Sequence, residues 1–235
     1  MIQIENLHKR FGENQVLKGI DIQIKSGVLA ILGPNGSGKT TLNKCILGMV
    51  FPDKGKITVN QQDINNRWNY RKEIDYLPQI ANFPNNITVA ELIKMIKDLR
   101  NVKSKDETHL LQLFKLQPFL NKKLNNLSGG TKQKVNLLLT FMFDSPIIIL
   151  DEPTTGLDPA ALIILKKLIE EEKKKGKTIL VTSHIMSFVE EISDEIMFIL
   201  EGKIYFKGTI SQLKNQTQQT NFEHAIASIL IDNHA

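Results

Sequence analysis

An α/β fold, with an antiparallel β layer at the front of the chain and an inserted helical segment, is predicted by three features of the sequence. Continuous apolar runs at 28–32, 147–150 and 178–183 each end on polar or glycine-containing residues, the pattern of strands covered on both faces in a parallel sheet. Apolar and polar residues alternate in MIQIENL and IDIQIKSG, the period-two pattern of half-solvated strands, which places the antiparallel layer at 1–27 and 56–62. Residues 85–143 carry helical signals: Thr88 with Glu91 three positions on has capping-box spacing, and VAELIKMIKDL repeats apolar residues every three or four.

A chain of 235 residues holds one sizeable core and is too short for two ordinary domains with long linkers. It reads as a single unit: 1–79 and 146–210 form the core with its β layer, 80–145 a helical subdomain, and 211–235 a C-terminal extension. The greasy stretch VNLLLTFMFDSPIIIL is broken by Asp144 and Pro146 and falls short of the roughly 20 apolar residues a bilayer span needs. It reads as a buried helix followed by a buried strand, so any membrane must come from another chain. The polar KNQTQQTN at 214–221 precedes FEHAIASILI, which reads as a last helix.

The hydrophobic fraction of 41% and charged fraction of 23% are ordinary for a globular protein and argue against extended disorder. The net charge of +5 favours anionic partners, but the lysines are scattered among acids, and EEEKKKGK at 170–177 reads as a solvated helix end. Cys45, the single cysteine, excludes an internal disulfide; inside a helical run it reads as a small core residue. No charged-then-apolar leader stands at the start, so export is not expected.

Gly33 is followed at fixed spacing by Gly38, Lys39 and Thr40, directly after the apolar strand 28–32 and at the opening of a helix. That context is the phosphate loop. Glycines let successive backbone N–H groups turn onto a phosphate, the helix N-terminus adds positive charge, Lys39 reaches the β and γ oxygens, and the Thr40 hydroxyl can ligate Mg²⁺. IIILDE delivers Asp151 and Glu152 at the edge of a buried strand, where ligands bind in open α/β sheets. Two acids there read equally as solvent-exposed groups until a phosphate loop precedes them; then Asp151 suits the Mg²⁺ shell and Glu152 the deprotonation of an attacking water. His184 ends the run 178–183 at the same edge, and Gln79 ends IDYLPQ, where its amide oxygen can complete a Mg²⁺ or water shell. Either alone is an ordinary polar strand end.

In NLSGGTKQKVNLLL, Ser128 stands before Gly129, Gly130 and an amphipathic helix, a capped start with bare backbone amides. A helix between parallel strands runs against them, so this N-terminus lies toward the phosphate-loop edge. One nucleotide is already held by the first loop. The second cradle therefore points to ATP shared between two subunits, although LSGG standing alone would be a mere helix cap.

With these motifs in order, residues 1–210 resemble the ATP-binding subunits of ABC transporters, and the resemblance implies a P-loop NTPase (RecA-like) core. It identifies GPNGSGKTT as Walker A, so that Gly33, Pro34, Asn35, Gly36, Ser37, Gly38, Lys39, Thr40 and Thr41 hold the nucleotide. Gln79 is the Q-loop, Ser128, Gly129 and Gly130 the signature, Asp151 and Glu152 the end of Walker B, Asp158 the D-loop residue and His184 the H-loop residue. By the same resemblance Phe11 stacks on adenine where tyrosine is commoner, with Val16 beside it, and Thr131 replaces the commoner glutamine. The implied cofactors are ATP and Mg²⁺. The implied partners are a second copy of the chain and a transmembrane permease at the cytoplasmic face of the inner membrane, with no direct nucleic acid.

A narrower likeness, in LPQIANFPNNITVAELI, LSGGTKQKVN and SHIMSFVEEISDEIMFILEGKI, is to the copper-processing ABC ATPases that help mature nitrous oxide reductase. The rival readings are a soluble ABC-type ATPase acting on DNA or ribosomes and a nucleotide-binding regulator without turnover. The first is opposed by the lack of a long coiled coil or a second cassette, the second by Glu152 and His184. The turn IANFPNN presents Ile80, Phe83 and Pro84 either to the permease or, for Phe83, to the insert's own core.

Overall fold

The computed structural model describes residues 1–65, 67–80, 82–101 and 107–232. In chain order they form β1 (Ile2–Phe11), β2 (Asn14–Ile24), β3 (Gly27–Leu32), α1 (Lys39–Ile46), β4 (Lys54–Val59), β5 (Gln62–Asp63) and β6 (Ile74–Leu77). The helical insert follows with α2 (Val89–Arg100), α3 (Glu107–Leu113) and α4 (Gly129–Phe141). The chain then continues through β7 (Ile147–Asp151), α5 (Pro159–Lys174), β8 (Thr178–Thr182), α6 (Met186–Ile192), β9 (Glu195–Leu200), β10 (Lys203–Gly208), α7 (Ile210–Thr217) and α8 (Phe222–Asp232).

Two sheets divide the strands. The antiparallel layer runs β2-β1-β4-β5, and the second sheet runs β10-β9-β3-β8-β7-β6, parallel from β9 to β6. Leu29 and Ile31 of β3 face the antiparallel layer and α1, while Val28 on the other side joins Leu77, Ile148 and the insert residues Leu92, Leu110 and Leu137. This two-sided burial is why β3 reads as a continuous apolar run instead of an alternating one. The insert and one face of the sheet thus share a single apolar cluster.

Arg100 at the end of α2 lies 2.6 Å from the Asp75 carboxylate on edge strand β6, and burial pushes that carboxyl above its ordinary range. The capping box at Thr88 and Glu91 is present as the spacing predicts. Cys45 is buried in α1, where burial pushes its thiol up to about 11.

One sequence expectation needs correction. The segment 170–177 is solvated only in part: Glu170 and Lys174 are exposed, but Glu172 and Lys177 are buried and paired, with Asp144 2.8 Å from Lys177. A buried charge pair survives because each member compensates the other's lost hydration, which a local charge pattern cannot reveal. The first four residues of the polar segment 214–221 complete α7, which opens on Thr209 with a capping box to Gln212. Both tail helices pack on the β9–β10 hairpin through Leu213, Phe222, Ala225 and Ile226.

Candidate active site at the carboxyl edge of the parallel sheet

The loop after β3 is shaped from behind by close packing. Gly33 has φ +146°, and a Cβ there would sit 2.0 Å from the Ile199 carbonyl oxygen, so only glycine lets the chain leave the strand at this point. Lys39 opens α1, and its ammonium donates to the carbonyls of Gly33 at 2.7 Å and Pro34 at 3.0 Å. Burial pulls its pKa below the ordinary lysine range, against the opposing pull of the Glu152 and Asp151 carboxylates.

The N-termini of α2, α4, α5 and α7 are closed by the side chains of Thr88, Ser128, Asp158 and Thr209. That of α1 begins on Gly38 with no side-chain cap. Its amide donors are therefore left for an external acceptor, which fits a phosphate group. Phe11, Asn14, Val16, Asn35, Gly36, Gly38, Lys39, Thr40, Thr41, Gln79, Asp151 and Glu152 line one cleft of about 290 Å³. Phe11 is 51% exposed, with the Lys9 ammonium 5.3 Å from its ring centroid, and its exposed ring surface suits stacking on a base.

Strand order explains why these residues meet. β8 lies between β3 and β7, and its register sets Thr182 opposite Asp151. The Thr182 hydroxyl donates to Asp151 Oδ1, while Asp151 Oδ2 is buried with no hydrogen-bond partner among the described residues. An orphaned buried carboxylate oxygen beside Thr40 and Gln79 fits a divalent cation. Among the described residues no group of three or more His, Cys, Asp or Glu side chains could hold a metal ion by itself.

Glu152 follows with φ 49°, a left-handed conformation that a non-glycine residue holds only when its surroundings over-determine it. Its N–H donates to both the carbonyl and hydroxyl oxygens of Thr182 at 3.1 Å, and its Oε2 lies 2.8 Å from His184 Nδ1. His184 itself is largely exposed and lies outside the cleft lining, so it reaches the site through this contact with Glu152.

Ser128, Gly129 and Gly130 lie at the same sheet edge but outside the lining of this cleft. The Ser128 Oγ accepts the Thr131 N–H at 3.3 Å and meets the Thr131 hydroxyl at 2.9 Å. Asp158 is likewise outside the cleft lining: it caps α5 through the Ala161 N–H and lies 2.5 Å from the Lys134 ammonium. Of the turn after Gln79, Ile80 and Pro84 are exposed, whereas Phe83 is half-buried against the insert's core. Thr182, Asn14 and Gln133 are the site-forming residues that sequence reasoning missed. Only the register of β7 on β8 marks Thr182 out; a threonine at the end of the apolar run in TILVTS carries no signal.

Comparisons with known proteins give the family. The ABC transporter family profile matches residues 17–155. The chain is 32% identical to the L-cystine import ATP-binding protein TcyN of Bacillus subtilis, over 93% of this chain and 90% of that one. It is 33% identical to the lantibiotic transport ATP-binding protein SrtF of Streptococcus pyogenes, over 87% of this chain and 89% of that one. Among solved structures, an ATP-binding subunit of an ABC transporter superposes with a TM-score of 0.92 at 26% identity, covering 98% of this chain and 99% of that one. A dimeric post-hydrolysis cassette bound to ADP and phosphate gives 0.77 at 25% identity, covering 89% and 98%. The chain belongs to the ABC transporter family as an ATP-binding subunit, and it is an ATPase.

Proposed function

We propose that two copies of the chain close on two MgATP, hydrolyse them, and drive a transmembrane permease from the cytoplasmic face of the inner membrane. The observation that carries this reading is the position of Ser128, Gly129 and Gly130: a glycine-rich helix start on the phosphate-loop edge, yet outside the cleft it would serve. In a twofold pair each such cradle lies over the other copy's γ-phosphate. A cassette of similar fold is described as dimeric and bound to ADP and phosphate, which supports pairing of two copies.

In each composite site the bare amides of α1 and the Lys39 ammonium hold the β and γ oxygens. Phe11 stacks on the adenine beside Val16. Thr40, Gln79 and Asp151 would hold Mg²⁺, whose charge offsets the negative charge that develops on the phosphate oxygens. Glu152 takes the proton of the attacking water, and His184 keeps that carboxylate in place through Nδ1. Mixing Ser128→Arg chains with Lys39→Ala chains tests the shared site. Each variant alone is expected to be inactive, and the mixture should recover part of the wild-type rate through one intact composite site. No recovery in a mixture that forms dimers removes the reading.

Among the described residues no helix is long and apolar enough to cross a membrane, so the permease is a separate partner in this reading. A groove of about 350 Å³ lined by Tyr76, Phe83, Leu99, Leu139 and Phe143 opens beside Pro78, next to Gln79. By the family resemblance it receives a short cytoplasmic helix of the permease. Phe83→Asp would also disturb the insert's core, so Leu99, which is 74% exposed, is the cleaner probe. Leu99→Asp is expected to leave MgATP binding unchanged and cut capture by the permease about tenfold or more in pull-downs from detergent extracts.

The cargo is a separate matter, since relatives at about a third identity are described as serving cystine import and lantibiotic transport. The copper-processing reading rests on the three quoted segments. Its check is the copper content of nitrous oxide reductase in a strain lacking this chain, which it expects to be low; normal loading removes it.

A further inference from the structure

The geometry points to Gln133 as a positioning residue that holds Glu152 of its own chain in its hydrolytic conformation. The inference rests on the shared-site reading above and adds to it a physical tie between the two cradles of one chain. Gln133 lies on α4, five residues after its cap Ser128, and is only 8% exposed. Its Nε2 donates to the carbonyl oxygen of Pro153 at 3.1 Å, a bond buried at both ends. Pro153 is the residue after Glu152.

The contact fixes the peptide that leaves the left-handed turn. Glu152 at φ 49° is strained, and its N–H is anchored behind it to Thr182 of β8. Ahead of it, the bond from Gln133 fixes the plane of the Pro153 carbonyl, and the Thr155 N–H closes the turn on the Glu152 carbonyl at 3.3 Å. Remove the amide donor and the buried Pro153 carbonyl must turn to find another, which releases the strain at Glu152 and swings its carboxylate off the cleft.

Two further contacts make α4 rigid against this segment. A Cβ on Gly130 would come 2.8 Å from the Gly156 carbonyl, so glycine permits a close approach there, and Lys134 reaches Asp158. The Lys134 pair is exposed and screened; the buried amide is the stronger tie. Seating the partner's γ-phosphate on Ser128 thereby bears on the Glu152 of the same chain, which serves the other composite site.

The mixed dimer separates this from a general support role. In Ser128→Arg chains paired with Lys39→Ala chains, the working site takes Lys39 and Glu152 from the first chain and Ser128 from the second. Gln133→Leu placed on the Ser128→Arg chain is expected to lower kcat about tenfold or more, with the KM for MgATP within about twofold of the parent pair. The same change on the Lys39→Ala chain should leave the rate within about twofold. Loss only when it sits on the Lys39→Ala chain means that Gln133 supports Ser128 instead, and overturns the proposal. Equal loss on both chains, or on neither, overturns it as well.

A parent pair without activity defeats the shared-site reading, and the Gln133→Leu homodimer then decides alone. A kcat reduced about tenfold at unchanged KM supports the proposal, and a parental kcat overturns it. Folding is checked by thermal melting and MgATP binding, and Gln133→Met, with similar volume and no donor, takes the same placements if the leucine variant fails to fold.

Discussion

Glu152→Gln is expected to bind MgATP as well as the parent, to lose about 10²- to 10⁴-fold in turnover, and to accumulate as an ATP-bound dimer. The amide keeps the size and hydrogen-bonding reach of the carboxyl but cannot take a proton, so only the chemical step is removed. Three contacts mark Glu152 for this role. Its backbone is held in a left-handed turn, its N–H is anchored on Thr182, and its Oε2 lies 2.8 Å from His184 Nδ1. Because the neighbouring Asp151 keeps its bond from Thr182, the sheet edge and the phosphate loop are unchanged in the variant. Size exclusion with and without MgATP reads the dimer, and phosphate release reads the turnover. Hydrolysis at the parental rate clears Glu152 of acting as the base.

Lys39→Ala removes the one ammonium aimed along the loop and is expected to weaken MgATP binding by about 2–3 kcal/mol, or roughly 30- to 150-fold in Kd. The fold should survive. The lysine's own contacts are to the Gly33 and Pro34 carbonyls, and Pro34, Asn35 and Gly36 are exposed, so water replaces what the ammonium leaves. Burial of Lys39 makes its bare cation costly, and nucleotide phosphates reverse that cost, which is why the effect is large in binding and small in stability. Titration calorimetry measures the affinity and a thermal melt the fold; unchanged affinity together with unchanged hydrolysis rejects the phosphate-loop assignment.

What the amino-acid sequence determined by itself was whatever is encoded within about one turn or one strand. Glycines and a lysine at fixed spacing after an apolar strand specify a phosphate cradle because the chemistry lies in consecutive backbone amides. Thr88 and Glu91 specify a helix start, and the runs at 28–32 and 147–150 specify buried strands, for the same local reason. The hairpin of β9 and β10 escaped notice because its pattern, buried on β9 and alternating on β10, acquires meaning only once α7 and α8 cover it.

Tertiary structure alone decided which distant groups meet. The insertion of β8 between β3 and β7 put Thr182 against Asp151, and the left-handed turn at Glu152 brought its carboxylate to His184. The packing of α4 against the 153–158 segment set Gln133 on the Pro153 carbonyl, and the same kind of long-range closure buried Lys177 with Glu172 and brought it to the exposed Asp144. Each of these contacts joins residues 20 or more positions apart or depends on a sheet order that no local periodicity contains, except Glu172 with Lys177, whose burial is imposed by the strands and loops around it.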